Sequence, residues 1–396
     1  MRVRTRTAMT LGILTLALTG SATSAHLASA ASDVVGHVYV DDNTATAAGN
    51  TVAGYDRHAD GSLTAMAGSP FAVGGLGTGH GLPAQGGLQL ADDGRYLLAV
   101  DAGSNQISVL RIGPDGALRP SEGGPISSGG VTPVSTAVHD HLVVVANAGS
   151  GGSNYTGFTL DDGRLQPLPG ATVPVPPGVA DVLVSRDGRS LVGTRVGTAT
   201  GAAPIDGTID SFRVGEDGRL TPAPGSPFPA QANGPFGSAF SLTHDDQLFV
   251  SNAHAGPGNG SVSVLAVADD HSLSPVSLAP YPNLQTAPCW LDVAPDGQSL
   301  YTSNTANSSI SRYAVSRGGV LALRGNTRLA GPASVNTRPI DLRLAPDGRD
   351  LYVIKAGTNT VGALMVSATG ALTELTTPSV ALPGDAAGSA SGLVVS

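Results

Sequence analysis

Residues suited to acid–base or anion-stabilising chemistry recur at fixed places in this sequence. Asp181 and Asp341 each stand six residues before the Asp of an Asp-Gly pair, whereas Arg195 and His254 follow short apolar runs. A carboxylate or an imidazole can act as a general base toward water, and a guanidinium can stabilise a developing oxyanion. We therefore predict Asp181, Asp341, Arg195 and His254 as candidate catalytic residues.

A second set of side chains is suited to holding a small polar ligand. It combines carboxamides, a carboxylate, an ammonium group and the single Trp of the chain: Gln85, Asp101, Asn147, Asn252, Trp290, Asn304 and Lys355. A few polar groups around an aromatic side chain are typical of a ligand pocket. A structural role stays open, because Asn and Asp also bond to the backbone of nearby turns. Trp290 could equally pack in the core, and Arg195 and Lys355 could form ion pairs with Asp101, Asp181 or Asp341.

No spacing typical of a metal or cofactor site is present. The sequence has no His-x-x-x-His motif, no Cys pair and no EF-hand loop. Its one cysteine, Cys289, cannot form an internal disulfide, and we interpret it as a small buried residue. We predict neither a metal ion nor an organic cofactor.

The elements that position these residues belong to a repeat of about 50 residues. A polar turn followed by a Leu-type residue occurs seven times, at Asp60, Asp115, Asp162, Asp217, Asp270, Gly318 and Thr369, with spacings of 47 to 55 residues. An alternating strand precedes each turn, and a second hairpin with its own Asp-Gly lies upstream. Four short strands in a unit of this length are typical of a propeller blade.

The two ends of the chain predict how the ring closes. Residues 34–40 match the second strand of a unit and lack a first strand, while residues 389–396 match a first strand alone. We therefore predict an all-β fold: a seven-bladed β-propeller with four antiparallel strands per blade, whose first blade is completed by the C-terminal strand. The start of the first strand and the end of the second lie on one face, so the candidate residues should converge on the mouth of the central channel.

The first 30 residues have the pattern of a secretory signal peptide. Arg2, Arg4 and Arg6 precede an apolar run at residues 9–18, and small residues with Ala-x-Ala-like sites follow. We predict that residues 1–30 are removed and that residues 32–396 form a single secreted propeller without stable membrane insertion. An N-terminal membrane anchor is the alternative.

The charge of the chain limits its partners. The formal net charge is −9, and no basic patch is visible in the sequence. An acidic surface disfavours nucleic acids and anionic membranes. We predict a monomer whose partner is a small polar molecule.

The repeats resemble a known family. The segments Leu300-Tyr301-Thr302-Ser303-Asn304 and Leu248-Phe249-Val250-Ser251-Asn252 look like the Tyr-Val-Thr-Asn repeat of bacterial propellers. The order of Pro-Asp-Gly and Asp-Gly-x-Leu turns is similar to that of the lactonase family of seven-bladed propellers. That family includes 6-phosphogluconolactonases and 3-carboxymuconate cyclase-like proteins, and exported actinobacterial members look most similar. The resemblance implies a carboxylic ester hydrolase that acts on a lactone.

One family motif is not matched here. Family enzymes often carry Pro-Arg-His at the start of the first strand, where this chain has triplets such as Val179-Ala180-Asp181 and Pro339-Ile340-Asp341. Three hypotheses therefore stay open. The first is a secreted lactonase-like propeller that binds, and hydrolyses, a small lactone-type ligand. The second is a non-catalytic binding or interaction propeller, and the third is a lactonizing isomerase.

Overall fold

The computed structural model describes residues 33–149, 153–197, 207–376, 379–383, 386 and 388–396. The predicted signal peptide, residues 1–30, lies outside these ranges. Within them the chain forms 33 β-strands and no α-helix. Accordingly, the described part of the chain has no helix with the length and apolar character needed to cross a membrane.

The strands follow one another at short intervals along the whole described chain. In chain order they are β1 (Val34–Asp41), β2 (Thr51–His58), β3 (Leu63–Ala65), β4 (Phe71–Ala72), β5 (Leu88–Leu90), β6 (Tyr96–Asp101), β7 (Gln106–Ile112), β8 (Leu118–Pro120), β9 (Ile126–Ser127), β10 (Pro133–His139), β11 (Leu142–Asn147), β12 (Asn154–Asp161), β13 (Arg164–Pro174), β14 (Val179–Val184), β15 (Ser190–Arg195), β16 (Thr208–Val214), β17 (Leu220–Pro222), β18 (Phe228–Pro229), β19 (Pro235–Phe240), β20 (Gln247–Asn252), β21 (Ser261–Val267), β22 (Leu273–Pro275), β23 (Tyr281–Pro282), β24 (Pro288–Val293), β25 (Ser299–Asn304), β26 (Ser309–Val315), β27 (Leu321–Arg328), β28 (Pro339–Leu344), β29 (Asp350–Lys355), β30 (Thr360–Val366), β31 (Leu372–Glu374), β32 (Val380–Ala381) and β33 (Leu393–Val395).

These strands form seven antiparallel sheets, which are the seven blades of a propeller. Blade I contains β33 and β1–β4, blade II β5–β9, blade III β10–β13, blade IV β14–β18, blade V β19–β23, blade VI β24–β27 and blade VII β28–β32. From the channel outward we name the strands a, b, c and d; in five blades strand d is divided into two short segments that both pair with strand c. The predicted seven-bladed fold is confirmed.

The Asp-Gly pairs make the turns between strands a and b. Gly94, Gly188, Gly297 and Gly348 occupy this turn with φ between 66° and 70°. A residue with a Cβ rarely adopts this left-handed conformation, which explains why glycine recurs there. Strand b follows within the same blade, and the two neighbouring blades cover its two faces. In β6, β15, β20, β25 and β29 every residue is buried.

The C-terminal strand closes the ring as predicted. β33 is strand a of blade I and pairs with β1 through Val38↔Val395, Tyr39↔Val394 and Val40↔Leu393. The backbone bonds from Ser396 N to His37 O (2.9 Å) and from Asp41 N to Gly392 O (3.0 Å) extend this pairing. The two ends of the described chain thus belong to a single sheet.

Tyrosines of strand b join neighbouring blades. Tyr39 Oη donates to Gly116 O (2.7 Å), Tyr301 Oη to Gly370 O (2.8 Å) and Tyr352 Oη to Gly61 O (3.0 Å). In each case the acceptor is the glycine of the turn between strands c and d in the next blade. The Tyr352 bond links blade VII to blade I and so reinforces the closure.

The closure can be tested with one core substitution and a matched surface control. Leu393 is fully buried and Leu278 is fully exposed. Leu393→Ala should lower the free energy of unfolding by about 2–5 kcal/mol, because it leaves a cavity at the closing strand. Leu278→Ala should change it by no more than about 0.5 kcal/mol. Urea unfolding measures both, and deletion of residues 389–396 should lower the thermal midpoint further. An unchanged midpoint after this deletion would contradict the closure.

Candidate functional site

The candidate carboxylates lie where strand a enters the channel. Bulges interrupt the pairing of strands a and b in β10, β14, β19, β24 and β28 near this point. Ser135, Asp181, Gly237, Trp290 and Asp341 occupy equivalent positions at or beside these bulges, and Asp341 has φ 27°. Bulges re-aim side chains, and here they give the residues at the mouth an orientation that strand alternation alone does not predict.

Asp181 is fully buried and joins three blades. Its carboxylate accepts hydrogen bonds from Ser135 Oγ (3.2 Å), Ser238 N (2.8 Å) and Ser238 Oγ (2.7 Å). Burial raises the pKa of Asp181 to about 7, and these hydrogen bonds oppose that effect only in part. All three donors come from blades III and V, next to its own blade IV.

In blades VII and VI, the carboxylates of Asp341 and Asp292 also accept a hydrogen bond from a backbone N–H of the following blade. Asp341 accepts from Leu393 N (2.8 Å) in the closing strand and from Arg343 Nη1 (3.0 Å), and Asp292 accepts from Leu344 N (2.8 Å). Burial raises the pKa of both carboxyl groups, and the Arg343 guanidinium opposes this rise. Asp292 and Arg343 escaped the sequence analysis, although each follows a candidate position by two residues.

A glycine-rich loop, residues 78–87, covers the mouth of the channel. It connects blades I and II, yet Gln85 Nε2 donates to Ser238 O (2.8 Å) in blade V and Gln85 Oε1 accepts from Leu291 N (3.1 Å) in blade VI. Further along, Gly86 O accepts from Thr136 N (2.8 Å) in blade III. The Gln85 side chain is 3% exposed. The loop therefore closes the mouth where the ligand was predicted to bind.

Trp290 packs under this loop. Its indole Nε1 donates to Ala84 O (2.9 Å), and its ring lies edge-on to Phe236 with 4.9 Å between centroids. With 5% of its surface exposed, Trp290 is part of the core. The structure thus brings the predicted ligand residues Trp290 and Gln85 together, but through the loop rather than around an open pocket.

The predicted residues at the end of strand b face strand c of their own blade. Asp101 accepts from Ser108 Oγ (2.6 Å), and Asn147 donates to Asn154 Oδ1 (2.9 Å). The two remaining asparagines bond two serine hydroxyls each, in the pairs Asn252 with Ser261 and Ser263, and Asn304 with Ser309 and Ser311. These four side chains are fully buried and cross-link strands b and c.

Arg195 and Lys355, the two cations at the end of strand b, form buried ion pairs, but with carboxylates that the sequence analysis did not consider. Arg195 binds Asp210 through Nε to Oδ2 (2.9 Å) and Nη2 to Oδ1 (3.1 Å), and Tyr155 Oη donates to the same carboxylate (3.0 Å). Lys355 Nζ binds Glu374 Oε1 (2.8 Å). The alternative pairing with Asp101, Asp181 or Asp341 is therefore wrong.

His254 is the one predicted catalytic side chain that reaches solvent. It lies in the loop between strands b and c of blade V, above Gly234, and partial desolvation lowers the pKa of its imidazole. No hydrogen bond or ion pair in the described residues joins His254 to Asp181, Asp341 or Arg195. The four candidates do not form one catalytic group in this conformation.

In the described part of the chain, neither the single thiol nor a metal-ligand cluster adds to this site. Cys289 is buried, and burial raises the pKa of its thiol to about 11, so the thiolate is scarce at neutral pH. Within the described ranges no cluster of three or more His, Cys, Asp or Glu side chains is arranged to hold a metal ion.

Comparison with known proteins confirms the predicted resemblance. Residues 279–386 match the family model described as lactonase, 7-bladed beta-propeller. No curated protein matches the sequence. Among solved structures, the periplasmic gluconolactonase of Pseudomonas aeruginosa aligns with a TM-score of 0.67 and 19% identity, covering 91% of this chain and 98% of that one. A protein of Bacteroides fragilis provisionally assigned as a 6-phosphogluconolactonase aligns with a TM-score of 0.67 and 18% identity over the same shares. At these identities the structural matches establish the fold.

Two Arg–Asp pairs of blade IV test the structural role of Arg195. Arg195→Ala should lower the free energy of unfolding by about 3–5 kcal/mol, because it leaves the Asp210 carboxylate buried and unpaired. Arg219→Ala removes the exposed pair with Asp217 (3.2 Å) and should cost no more than about 1 kcal/mol. Urea unfolding of both variants measures the difference. Equal losses would contradict a structural role for the buried pair.

The raised pKa of Asp181 predicts a pH dependence of stability. The folded protein holds the Asp181 proton up to pH about 7, whereas an unfolded Asp releases it near pH about 3.9. The stability that this group contributes is therefore complete below pH about 4 and is lost as the pH rises to about 7. When the pH is raised from 4.5 to 8, the free energy of unfolding should fall less in Asp181→Asn than in the parent protein. Urea unfolding at each pH measures this difference. Asp115→Asn, in an exposed turn, should follow the parent; parallel curves for the parent and Asp181→Asn would refute the assignment.

Proposed function

We propose that this chain is an exported binding propeller with a lactonase-type fold, and that it does not hydrolyse lactones at its central channel. The observation that carries the proposal is the closed mouth, where Gln85 bridges Ser238 and Leu291 above the buried Asp181. Export rests on the signal-peptide pattern of residues 1–30.

Hydrolysis needs a base within hydrogen-bonding reach of water and a donor near the developing oxyanion. Asp181 has no exposed surface and accepts three hydrogen bonds from protein groups. Arg195 directs Nε and Nη2 at Asp210. In this conformation Asp181 is therefore not accessible to a substrate, and Asp210 occupies one edge of the Arg195 guanidinium.

The surface best suited to recognition is the loop face, formed by the loops from strand b to c and from strand d to the next strand a. Leu76, Val131, Leu284 and Val335 are exposed in four different d–a loops. Leu284 also has φ 59°, a costly conformation for a bulky residue, and such strain concentrates at binding sites. Exposed apolar side chains also occur outside these loops, at Val34, Val35, Leu242, Leu278, Val320 and Met365. The loop face is therefore distinguished by its charge as well as by these four residues.

The charge of the loop face supports a protein partner. In its described loops Arg338 is the one exposed Asp, Glu, Lys or Arg, whereas the turns on the opposite face are rich in Asp and Arg. The described loops of this face also lack Phe, Tyr and Trp. A surface with apolar side chains and few charges fits the apolar patch of another protein better than a charged ligand.

Lactone hydrolysis is the second candidate, and the pKa of Asp181 favours it. A carboxyl group with a pKa of about 7 is well matched to general-base catalysis near neutral pH. Four glycines, Gly79, Gly81, Gly86 and Gly87, give the covering loop the composition of a lid. This candidate requires displacement of residues 78–87.

A lactone panel separates the two candidates. The purified propeller, residues 32–396, is incubated with aliphatic and sugar lactones, and in parallel with the open acids, which tests lactonizing isomerisation. We expect no rate above buffer. Turnover that disappears in Asp181→Asn would overturn the proposal in favour of hydrolysis at the channel, and turnover that persists in that variant would place catalysis elsewhere.

Photo-crosslinking tests the loop face in intact producing cells. A photoreactive residue at Leu284 or Val335 should give the same discrete protein adduct. The same probe at Val320, which is exposed in a turn of the opposite face, should give none. Equal adducts at all three positions, or none on the loop face, would contradict recognition through this surface.

A further inference from the structure

The positive charge of this acidic protein is concentrated in one sector. Residues 312–355 contain eight Arg and Lys side chains and three Asp, although the whole chain carries a net charge of −9. This segment runs from strand c of blade VI to strand b of blade VII. Arg343 and Lys355 are already paired with Asp341 and Glu374, and Arg338 lies on the loop face. The five that remain are arginines with solvent-accessible side chains: Arg312, Arg317, Arg324, Arg328 and Arg349.

A cleft opens between blades VI and VII on the face opposite the loop face, where the a–b and c–d turns lie. Its volume is about 850 Å³, and three arginines line it: Arg312 from strand c and Arg324 from strand d of blade VI, and Arg349 from the a–b turn of blade VII. Neutral side chains with hydrogen-bonding groups also line the cleft: Gln298, Ser299, Ser367 and Thr369. The volume suits a small molecule.

The guanidinium groups of the cleft have no carboxylate partner. In the described part of the chain none of the three arginines forms an ion pair within 4.0 Å, although two aspartates share the lining. Asp347 approaches Arg57 of blade I (3.7 Å), and Asp296 accepts from the backbone N of Gln298 (2.9 Å). Arg312 donates to the carbonyl of Thr369, which holds it against the cleft wall.

We infer that the cleft between blades VI and VII binds the oxyanion group of a small molecule, a phosphate or a carboxylate. Arginine presents a planar set of N–H donors that matches both groups in bidentate geometry. Three such groups that form no ion pair within 4.0 Å, together with neutral donors, outnumber the two aspartates of the lining, and a bound oxyanion would supply further acceptors. The inference does not depend on what the channel or the loop face does.

A second cleft, between blades II and III, offers a comparison within the same molecule. A cleft there is lined by Arg95, Arg111, Arg119 and Arg164 together with Glu122, Asp161 and Asp162. Arg95 is already paired with Asp93 (2.7 Å), and Asp92 and Asp140 line the adjoining pocket. Among the described residues, Arg111 and Arg119 form no ion pair within 4.0 Å either, but three carboxylates line the same cleft. These two arginines therefore serve as a control for the loss of guanidinium groups.

Calorimetric titration of the propeller at low salt tests the site. The probes are inorganic phosphate, glucose 6-phosphate, glucuronate and glucose. At least one anion should bind saturably with one site per chain, and glucose should not bind. Arg324→Gln/Arg349→Gln should weaken this binding about tenfold or more, because two charge-assisted contacts are lost. The control Arg111→Gln/Arg119→Gln should leave it unchanged, and thermal midpoints should show that both variants fold.

The outcomes are distinct. Binding of phosphate and glucose 6-phosphate alone supports the site and identifies a phosphorylated ligand, and binding of glucuronate alone supports it and identifies a carboxylate. Absence of saturable binding of every anion would overturn the inference. Equal loss of affinity in the cleft variant and the control, or no loss in either, would also overturn it.

Discussion

The innermost strand of each blade has one edge without a neighbouring strand, and the ring depends on acceptors for the N–H groups along that edge. Buried N–H groups left without a partner would cost about 1–3 kcal/mol each. In blades III to VI the equivalent amide is bonded to a group from outside its own strand. These amides and acceptors are Thr136 to Gly86 O, Val182 to Ser135 Oγ, Ser238 to Asp181 and Leu291 to Gln85 Oε1. Three of the acceptors come from the preceding blade or the loop that leads into it.

This requirement also explains the closed mouth. Blade V has Gly237 where blade IV has Asp181, so it supplies no side chain to the amide of Leu291. Gln85 supplies the acceptor instead, and a Cβ at Gly237 would lie 2.3 Å from its Oε1. The loop that carries Gln85 must therefore cross the channel. Asp341 meets the same need at the closing strand, where its carboxylate accepts from Leu393 N. Groups that resemble a catalytic set thus stabilise the ring.

The fold could be predicted because its signals are local and periodic. Each Asp-Gly turn requires a left-handed residue, and the missing first strand of blade I has its counterpart at the C-terminus. The roles of the candidate residues depend on contacts that the repeat does not encode. A bulge decides where Asp181 points, and Asp210, fifteen residues away, holds Arg195. Lys355 passes over Gly362, where there is no side chain in its way, to reach Glu374.

The same reasoning distinguishes side chains that the fold uses from those that it leaves available. Arg195, Arg343 and Lys355 form ion pairs with carboxylates inside the propeller. Removal of any of these cations would leave its partner carboxylate buried and unpaired. Arg324 and Arg349 stand on the surface without such partners, although carboxylates are abundant in this chain. Ion pairs on a surface contribute little to stability, so folding alone does not require three arginines to face one cleft. A ligand accounts for their arrangement, whereas ring closure accounts for the charged groups of the channel.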